Sequence, residues 1–256
     1  MKPFSPVVLR FDSLPSTNTE AVRQAIAGAR EGLCVVAKEQ TAGRGRFERS
    51  WVSPKDAGLY LSIVLRPALD QKHWPLISLA TAVAVADALH DAGKIKTDIK
   101  WPNDVMHNDK KLCGILAETV DTELGRACIV GIGVNLTDAA FPVTLAATAT
   151  SVADAAGRVT NSEQVLNAIL KSFAEYYEIL QSPNGSADIV TAWSNRSSYA
   201  LGKRVRVTES DRVFVGTTRG LESDGALRVE TDSGEISVLY AGEVQSLRAT
   251  SDLTSN

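Results

Sequence analysis

After a few residues the chain enters an apolar run, PVVLRF at 6–11, which predicts a short strand. In the next stretch, LPSTNTEAVRQAIAGA, the period lengthens. Ala21, Val22, Ala25 and Ile26 recur at helical spacing, and Thr17 with Glu20 three residues on forms a capping-box pattern. LCVVAKEQ reads as a second strand. GLYLSIVLRP is apolar on both faces, which predicts a central strand closed by Pro67. Pro75 then opens a long Ala/Val/Leu helix that runs through Asp91 and is ended by Gly93. That helix is apolar nearly all round and belongs in the interior. IKTDIKWPNDVMHNDKKLCGILAETV reads as strand, turn, strand with Asn108-Asp109 at the bend, and RACIVGIGVNL as a further buried strand. Residues 160–181 predict an amphipathic helix, capped by Thr160 and Glu163, with Val165, Leu166, Ile169, Leu170, Phe173 and Tyr177 on one face.

Near residue 201 the texture changes. Short alternating runs are split by Ser-Asp, Ser-Asp-Gly and Asp-Ser-Gly turns, about five strands' worth, which suggests a small SH3-like barrel. The polar end, ATSDLTSN, is expected to fray.

Composition narrows the partners. The 256 residues are 44% hydrophobic and 22% charged, an ordinary globular balance. A formal net charge of -3 argues against nucleic-acid backbone as the main partner, because such binding needs a basic face. Cys34, Cys113 and Cys128 lack Cys-x-x-Cys spacing, and with three scattered histidines neither a disulfide framework nor a structural zinc site is expected. The N-terminal stretch lacks a signal-peptide pattern and no segment reads as a membrane span, so a cytoplasmic protein without membrane contact is expected.

Charge is nevertheless concentrated in one place. QTAGRGRFERSW, residues 40–51, gathers three arginines and two glycines before a tryptophan. Glycines let successive N–H groups face one anion, and Arg44, Arg46 and Arg49 add fork-shaped donors for carboxylate or phosphate. The same residues also suit a solvated Arg/Gly loop. KWPNDV, 100–105, puts Asn103 and Asp104 at a strand tip, where a metal or a ligand hydroxyl could bind, or where a plain Pro-Asn-Asp turn could form. Lys111 leads into the apolar LCGIL, where an inward ammonium needs an anion and an outward one does not. Cys113 shares its strand face and reads as a packing residue. Gly131 and Gly133 leave one strand face bare, which admits a flat ligand, a bulge or a tight helix crossing.

STN at 16–18, EQTAGRGRxxRxW at 39–51, KWPND at 100–104, KLxGIL at 111–116 and GxGxN at 131–135 occur in this order in one chain. In this combination the chain resembles the bacterial type of biotin protein ligase over essentially its whole length. The resemblance implies an α+β fold related to class II aminoacyl-tRNA synthetases, a mixed sheet with flanking helices plus the SH3-like piece. Residues 1–197 would be the catalytic domain, 198–249 the SH3-like domain and 250–256 a disordered tail. It implies MgATP and biotin as substrates, biotinyl-5′-AMP as intermediate, and a biotin carboxyl carrier protein as acceptor, in a monomer or homodimer.

By the same resemblance Ser16, Thr17 and Gln40 bond the ureido ring of biotin, with Asn18 in the same helix-entry motif. Gly43, Arg44, Gly45 and Arg46 belong to the loop that closes over biotin and its adenylate. Lys111 lies between the biotin carboxylate and the α-phosphate, and with Arg46 forms the catalytic pair. Gly131 offers backbone beside biotin; Arg49, Trp51, Asn103 and Asn135 surround the ATP half; Asp104 is an indirect Mg²⁺ ligand. Glu48 departs from the pattern, which often has glycine there. The motifs begin by residue 16, which leaves no room for an N-terminal DNA-binding helix-turn-helix, so DNA repression is not expected. A lipoate ligase or octanoyl transferase, the latter using Cys113 with Lys111, is the nearest rival enzyme. A non-catalytic ligand sensor is the rival of another class.

Overall fold

The computed structural model describes residues 4–138, 141–209 and 212–247. Seven strands form the main sheet: β1 (Val7–Phe11), β2 (Leu33–Ala37), β3 (Gly58–Leu65), β4 (Asp98–Lys100), β5 (Asp104–His107), β6 (Lys110–Thr122) and β7 (Gly125–Asn135). Their spatial order is β1-β2-β3-β7-β6-β5-β4. β1 and β2 run parallel, joined through helix α1 (Thr17–Ile26), and every other neighbour is antiparallel. β3 lies inside the sheet, as its two apolar faces require, with seven of its eight residues buried.

The two faces are covered differently. On one, α1 packs against β2, β3, β6 and β7 over a small apolar cluster of Ala21, Ala25, Val35, Val64, Ala127 and Ile129. On the other, α2 (Pro75–Gly93) lies against β4, β5 and β6 and is itself covered by α4 (Ser162–Leu180) and α5 (Gly185–Ser194). By length and composition α2 could cross a bilayer, contrary to the sequence expectation, but twelve of its residues are buried within the fold. The short α3 (Val152–Ala156) completes the helices.

Local chemistry moves several predicted boundaries. The first helix is capped by Ser16, not Thr17: the Ser16 carbonyl accepts from Glu20 N at 3.0 Å, and its hydroxyl faces Thr19 N at 3.5 Å. Ile26 of the predicted stripe is exposed, because Thr17, Asn18, Ala21 and Ala25 form the buried face. For α4 the cap is Asn161, whose Oδ1 accepts from Glu163 N at 2.8 Å; asparagine is the better N-cap than the predicted Thr160. Its predicted face is buried throughout. At the end of α2 the left-handed position is taken by Lys94 (φ 54°), one residue past Gly93. The 96–122 segment makes two turns where one was expected. Trp101-Pro102-Asn103 joins β4 to β5, and Asn108 (φ 49°) and Asp109 (φ 62°) form the second with the paired left-handed geometry of a tight hairpin.

The second sheet holds β8 (Leu201–Glu209), β9 (Arg212–Leu221), β10 (Leu227–Thr231), β11 (Ile236–Leu239) and β12 (Glu243–Ser246), antiparallel in the order β11-β10-β9-β8-β12. The strand number is that expected of the SH3-like piece; no ladder joins β11 to β12 among the described residues. Its Val205, Val207, Leu227, Val229, Leu239 and Val244 belong to the same buried cluster as α2 and the main sheet. Buried Trp101 reaches across and donates its indole N–H to the Gly225 carbonyl at 3.0 Å. The expected tail, 250–256, lies outside the described residues.

Candidate active site

Three glycines make the floor of the site. In the β6–β7 register Gly114 faces Gly133 and Leu116 faces Gly131, so the bare positions sit side by side on the α1 face. Protein side chains use that space. A Cβ on Gly131 would collide with the Asn18 carboxamide, and one on Gly133 would lie 2.6 Å from Trp51 Nε1. Of the readings the sequence left open, a close helix crossing explains Gly131, whereas Gly133 is explained by the Trp51 ring, which none of them foresaw. The indole N–H of Trp51 is buried without a partner.

At one end of the floor a polar relay begins at the α1 N-terminus. Gln40 Oε1 accepts from Thr17 N (2.8 Å) and Thr17 Oγ1 (3.1 Å), while Gln40 Nε2 donates to Ser53 Oγ (2.8 Å). Beneath it, fully buried Ser62 Oγ lies 2.8 Å from Thr17 Oγ1 and 2.6 Å from Asn18 Oδ1. Asn18 Nδ2 donates to Glu118 Oε2 at 2.7 Å. Such a row of directed donors and acceptors on a rigid helix-and-sheet frame suits a neutral, hydrogen-bonding head group.

The Gly/Arg segment folds as a small hairpin. Trp51 N donates to Gly43 O (2.9 Å), Gly45 N to Arg49 O (2.7 Å) and Arg49 N to Arg46 O (3.2 Å). Phe47 (φ 54°) and Glu48 (φ 58°) occupy the two left-handed positions at its tip, where glycine would be unstrained. Each arginine has its own partner. Arg44 pairs with Glu118 at 2.6 Å, and Arg49 pairs with Glu243 of the second sheet. Arg46 makes longer contacts to neutral oxygens, Asn103 Oδ1 (3.5 Å) and the Gly242 carbonyl (3.4 Å). Burial pushes its pKa down, which marks a desolvated cation.

Lys111 stands at the other end. Its ammonium is 2.6 Å from Asp104 Oδ1 and 5.2 Å from the centre of the Trp51 ring. The Lys111 backbone is fixed by Thr148 O and Thr150 N, and Asn135 Nδ2 donates to Lys111 O (3.3 Å) and Thr150 O (3.0 Å). Asn135 thus braces the wall. Asn103 likewise spends its Nδ2 on Ile115 O at 2.6 Å.

These groups enclose a cavity of about 430 Å³. Ser16, Thr17, Asn18, Gln40, Arg44, Gly45, Arg46, Arg49, Trp51, Asn103, Asp104, Lys111, Gly131 and Asn135 all line it. Gly43 does not; it sits behind the wall, where a Cβ would fall 2.7 Å from Ser53 Oγ. Sequence reasoning missed Glu118, Ser62 and Glu243. Glu118 was detectable as a charge on the β6 face that carries Gly114 and Leu116, whereas Glu243 is nearly two hundred residues from Arg49 and carries no local signal.

Two chemistries are poorly served. Cys113 is fully buried and desolvation pushes its thiol far up, so it offers no thiolate for a thioester. Among the described residues no cluster of three His, Cys, Asp or Glu side chains could hold a metal, and the Asp104 carboxylate is engaged by Lys111. A divalent cation would find at most one carboxylate on this wall, Asp104, and that one is already paired with Lys111.

The cavity thus carries a polar relay at one end and two cations at the other. The chain matches the Biotin/lipoate A/B protein ligase family over residues 10–135 and the Biotin protein ligase C terminal domain over residues 200–246. It is 37% identical over 93% of its length to the bifunctional ligase/repressor BirA of Bacillus subtilis, covering 73% of that protein. It is 36% identical over 90% of its length to the biotin–[acetyl-CoA-carboxylase] ligase of Paracoccus denitrificans, covering 96% of it. The solved biotin protein ligase of Aquifex aeolicus in complex with biotin and ATP superposes with a TM-score of 0.82 at 27% identity, over 94% of this chain and 99% of that one. The chain belongs to the biotin protein ligase branch of this family.

Proposed function

We propose that the chain activates biotin as biotinyl-5′-AMP at the expense of ATP and transfers the biotinyl group to a lysine of a biotin carboxyl carrier protein. The observation that carries the reading is one cavity bounded by the Gln40 relay and by Lys111 and Arg46. The match to the Biotin protein ligase C terminal domain favours biotin over lipoate. The acceptor is the carboxyl carrier of a biotin-dependent carboxylase, of the acetyl-CoA or pyruvate type. Three free thiols and the demand for ATP suit the cytoplasm.

A carboxylate cannot acylate an amine usefully, because oxide is a poor leaving group. A biotin carboxylate oxygen therefore attacks the α-phosphorus of MgATP, the bond to the β-phosphate oxygen breaks, and pyrophosphate leaves. Both reagents are anions. Lys111, released from Asp104 as the ligand arrives, and Arg46 cancel their repulsion where little water screens charge. The relay holds the ureido end so that the reacting oxygens meet in line. Magnesium, if it accompanies the nucleotide, would supply further charge neutralisation, with Asp104 the carboxylate on this wall placed to serve it indirectly.

The mixed anhydride is unstable in water, and the 43–51 hairpin shields it. The carrier's lysine, deprotonated to solvent, attacks the acyl carbon; the bond to AMP breaks and AMP departs. The test is mass spectrometry of an apo carrier domain incubated with the protein, biotin and MgATP. A gain of one biotinyl group on one lysine, absent without ATP, is expected. An unmodified carrier together with tight ATP-independent biotin binding would instead make the chain a ligand sensor.

A further inference from the structure

We propose that Glu118 is a positioning residue that ties recognition of the biotin head group to closure of the Gly/Arg hairpin, a proposal that rests on the biotin-adenylate reading above. Glu118 sits in the middle of β6, opposite Ile129 of β7 and on the face that carries the glycine floor. Its side chain is 29% exposed and does not line the cavity; Asn18 and Arg44, which it holds, do. A single carboxylate oxygen, Oε2, accepts from Asn18 Nδ2 at 2.7 Å and from Arg44 Nη2 at 2.6 Å.

A carboxylate beside a site for two anions would repel both if it were free. Bound to Arg44 it is neutralised, and it withdraws that arginine from the ligand. Arg49 is withdrawn in the same way by Glu243, which leaves Arg46, hydrogen-bonded to neutral oxygens and stacked on Phe47 with Asp104 and Glu243 farther off, as the hairpin arginine without a direct ion pair among the described residues. The two ion pairs therefore divide the work: Arg44 and Arg49 fasten the hairpin, and Arg46 is kept for the ligand.

Glu118 also sets the sense of the relay. An acceptor-only carboxylate requires the amino end of Asn18 to face it, and Asn18 Nδ2 also donates to the Leu116 carbonyl at 3.3 Å. Asn18 Oδ1 is then turned to Ser62 and accepts a hydrogen bond from its hydroxyl at 2.6 Å. Thr17 Oγ1, 2.8 Å from Ser62 Oγ and 3.1 Å from Gln40 Oε1, completes the row, and the Thr17 backbone N–H independently holds Gln40 Oε1 at 2.8 Å so that Gln40 Nε2 faces Ser53. Reversing Asn18 would put oxygen against oxygen at Glu118. The orientation of Asn18 and of Ser62 at the head-group end is thus fixed from Glu118, and the same residue holds the base of the hairpin.

The test compares the parent protein with Glu118→Gln and Glu118→Ala by biotin-dependent ATP–pyrophosphate exchange, by release of biotinyl-5′-AMP, and by trypsin cleavage within the hairpin with and without biotin. Glu118→Gln keeps an acceptor for Asn18 but loses the ion pair; cleavage and adenylate release should each speed up about fivefold, with the biotin KM within about threefold of the parent's. Glu118→Ala loses both contacts and should raise the biotin KM about tenfold while the ATP KM moves less than about threefold. If Glu118→Ala leaves the biotin KM and hairpin cleavage as in the parent, or raises both KM values equally, Glu118 has no such role. Should the alanine variant not fold, the isosteric glutamine variant decides alone, and parental rates of cleavage and release in it overturn the proposal. Absence of exchange in the parent itself would instead dispose of the underlying ligase reading.

Discussion

Lys111 and Arg46 reach the cavity with different histories. The lysine arrives paired with Asp104 at 2.6 Å, so the ligand must exchange one anionic partner for another. The arginine arrives desolvated and without a direct ion pair among the described residues, its hydrogen bonds long and to neutral oxygens and its plane over Phe47, so an incoming phosphate or acyl-phosphate oxygen displaces no carboxylate from it. That difference predicts different failures. Arg46→Gly should still form biotinyl-5′-AMP but release it about tenfold or more faster, the scale of a lost charge-assisted hydrogen bond, and so label bystander lysines. Rapid filtration of preformed labelled adenylate measures it; retention equal to the parent's would remove Arg46 from that role. Buried Cys113 contributes only packing. Cys113→Ala should lower stability by about 1 kcal/mol in denaturant titration and leave carrier labelling intact.

At the scale of elements, β6 and β7 act as a platform whose missing side chains are replaced by residues from elsewhere. Gly133→Ala would set a methyl 2.6 Å from the Trp51 indole and force the ring off the floor, at a cost of about 1–3 kcal/mol. The expected result is a several-fold rise in the ATP KM with the biotin KM less affected; unchanged kinetics would show that Trp51 does not need its seat. Much of this platform was legible in the sequence. β3, α2 and β7 are long and strongly apolar, and the second sheet announces itself through regular turns. Caps were misplaced by one residue because Ser16 and Thr17, or Thr160 and Asn161, are adjacent polar candidates, and backbone geometry chooses between them. Which object fills a glycine floor depends on Asn18 and Trp51, far off in the chain. The hairpin arginines were legible as a local run, but the pairing of two of them with Glu118 and Glu243 was not, because it exists only once the sheets have formed.

Across the whole molecule the second sheet is part of the site as well as of the core. Arg46 reaches the Gly242 carbonyl, Arg49 pairs with Glu243, and Trp101 is bonded to Gly225. Arg49 holds the Glu243 carboxylate below its ordinary pKa near 4.5. A lowered folded-state pKa means that the contact stabilises the fold above about pH 4.5 and is lost as pH falls through the folded-state value. Glu243→Gln should therefore melt about 2 °C below the parent at pH 7, a small difference because the pair is partly exposed. The gap should close as the pH is taken below 4.5; a gap that persists or widens in acid would mean that the pair does not fasten the hairpin to the second sheet.

The central claim is that Lys111 and Arg46 let two anions react within one cavity, and isotope exchange from labelled pyrophosphate into ATP tests it without any carrier. The parent protein is expected to catalyse exchange only when biotin is present, and Lys111→Ala to lower that rate at least a hundredfold while remaining folded. Exchange that proceeds without biotin, or that Lys111→Ala leaves intact, would contradict the account.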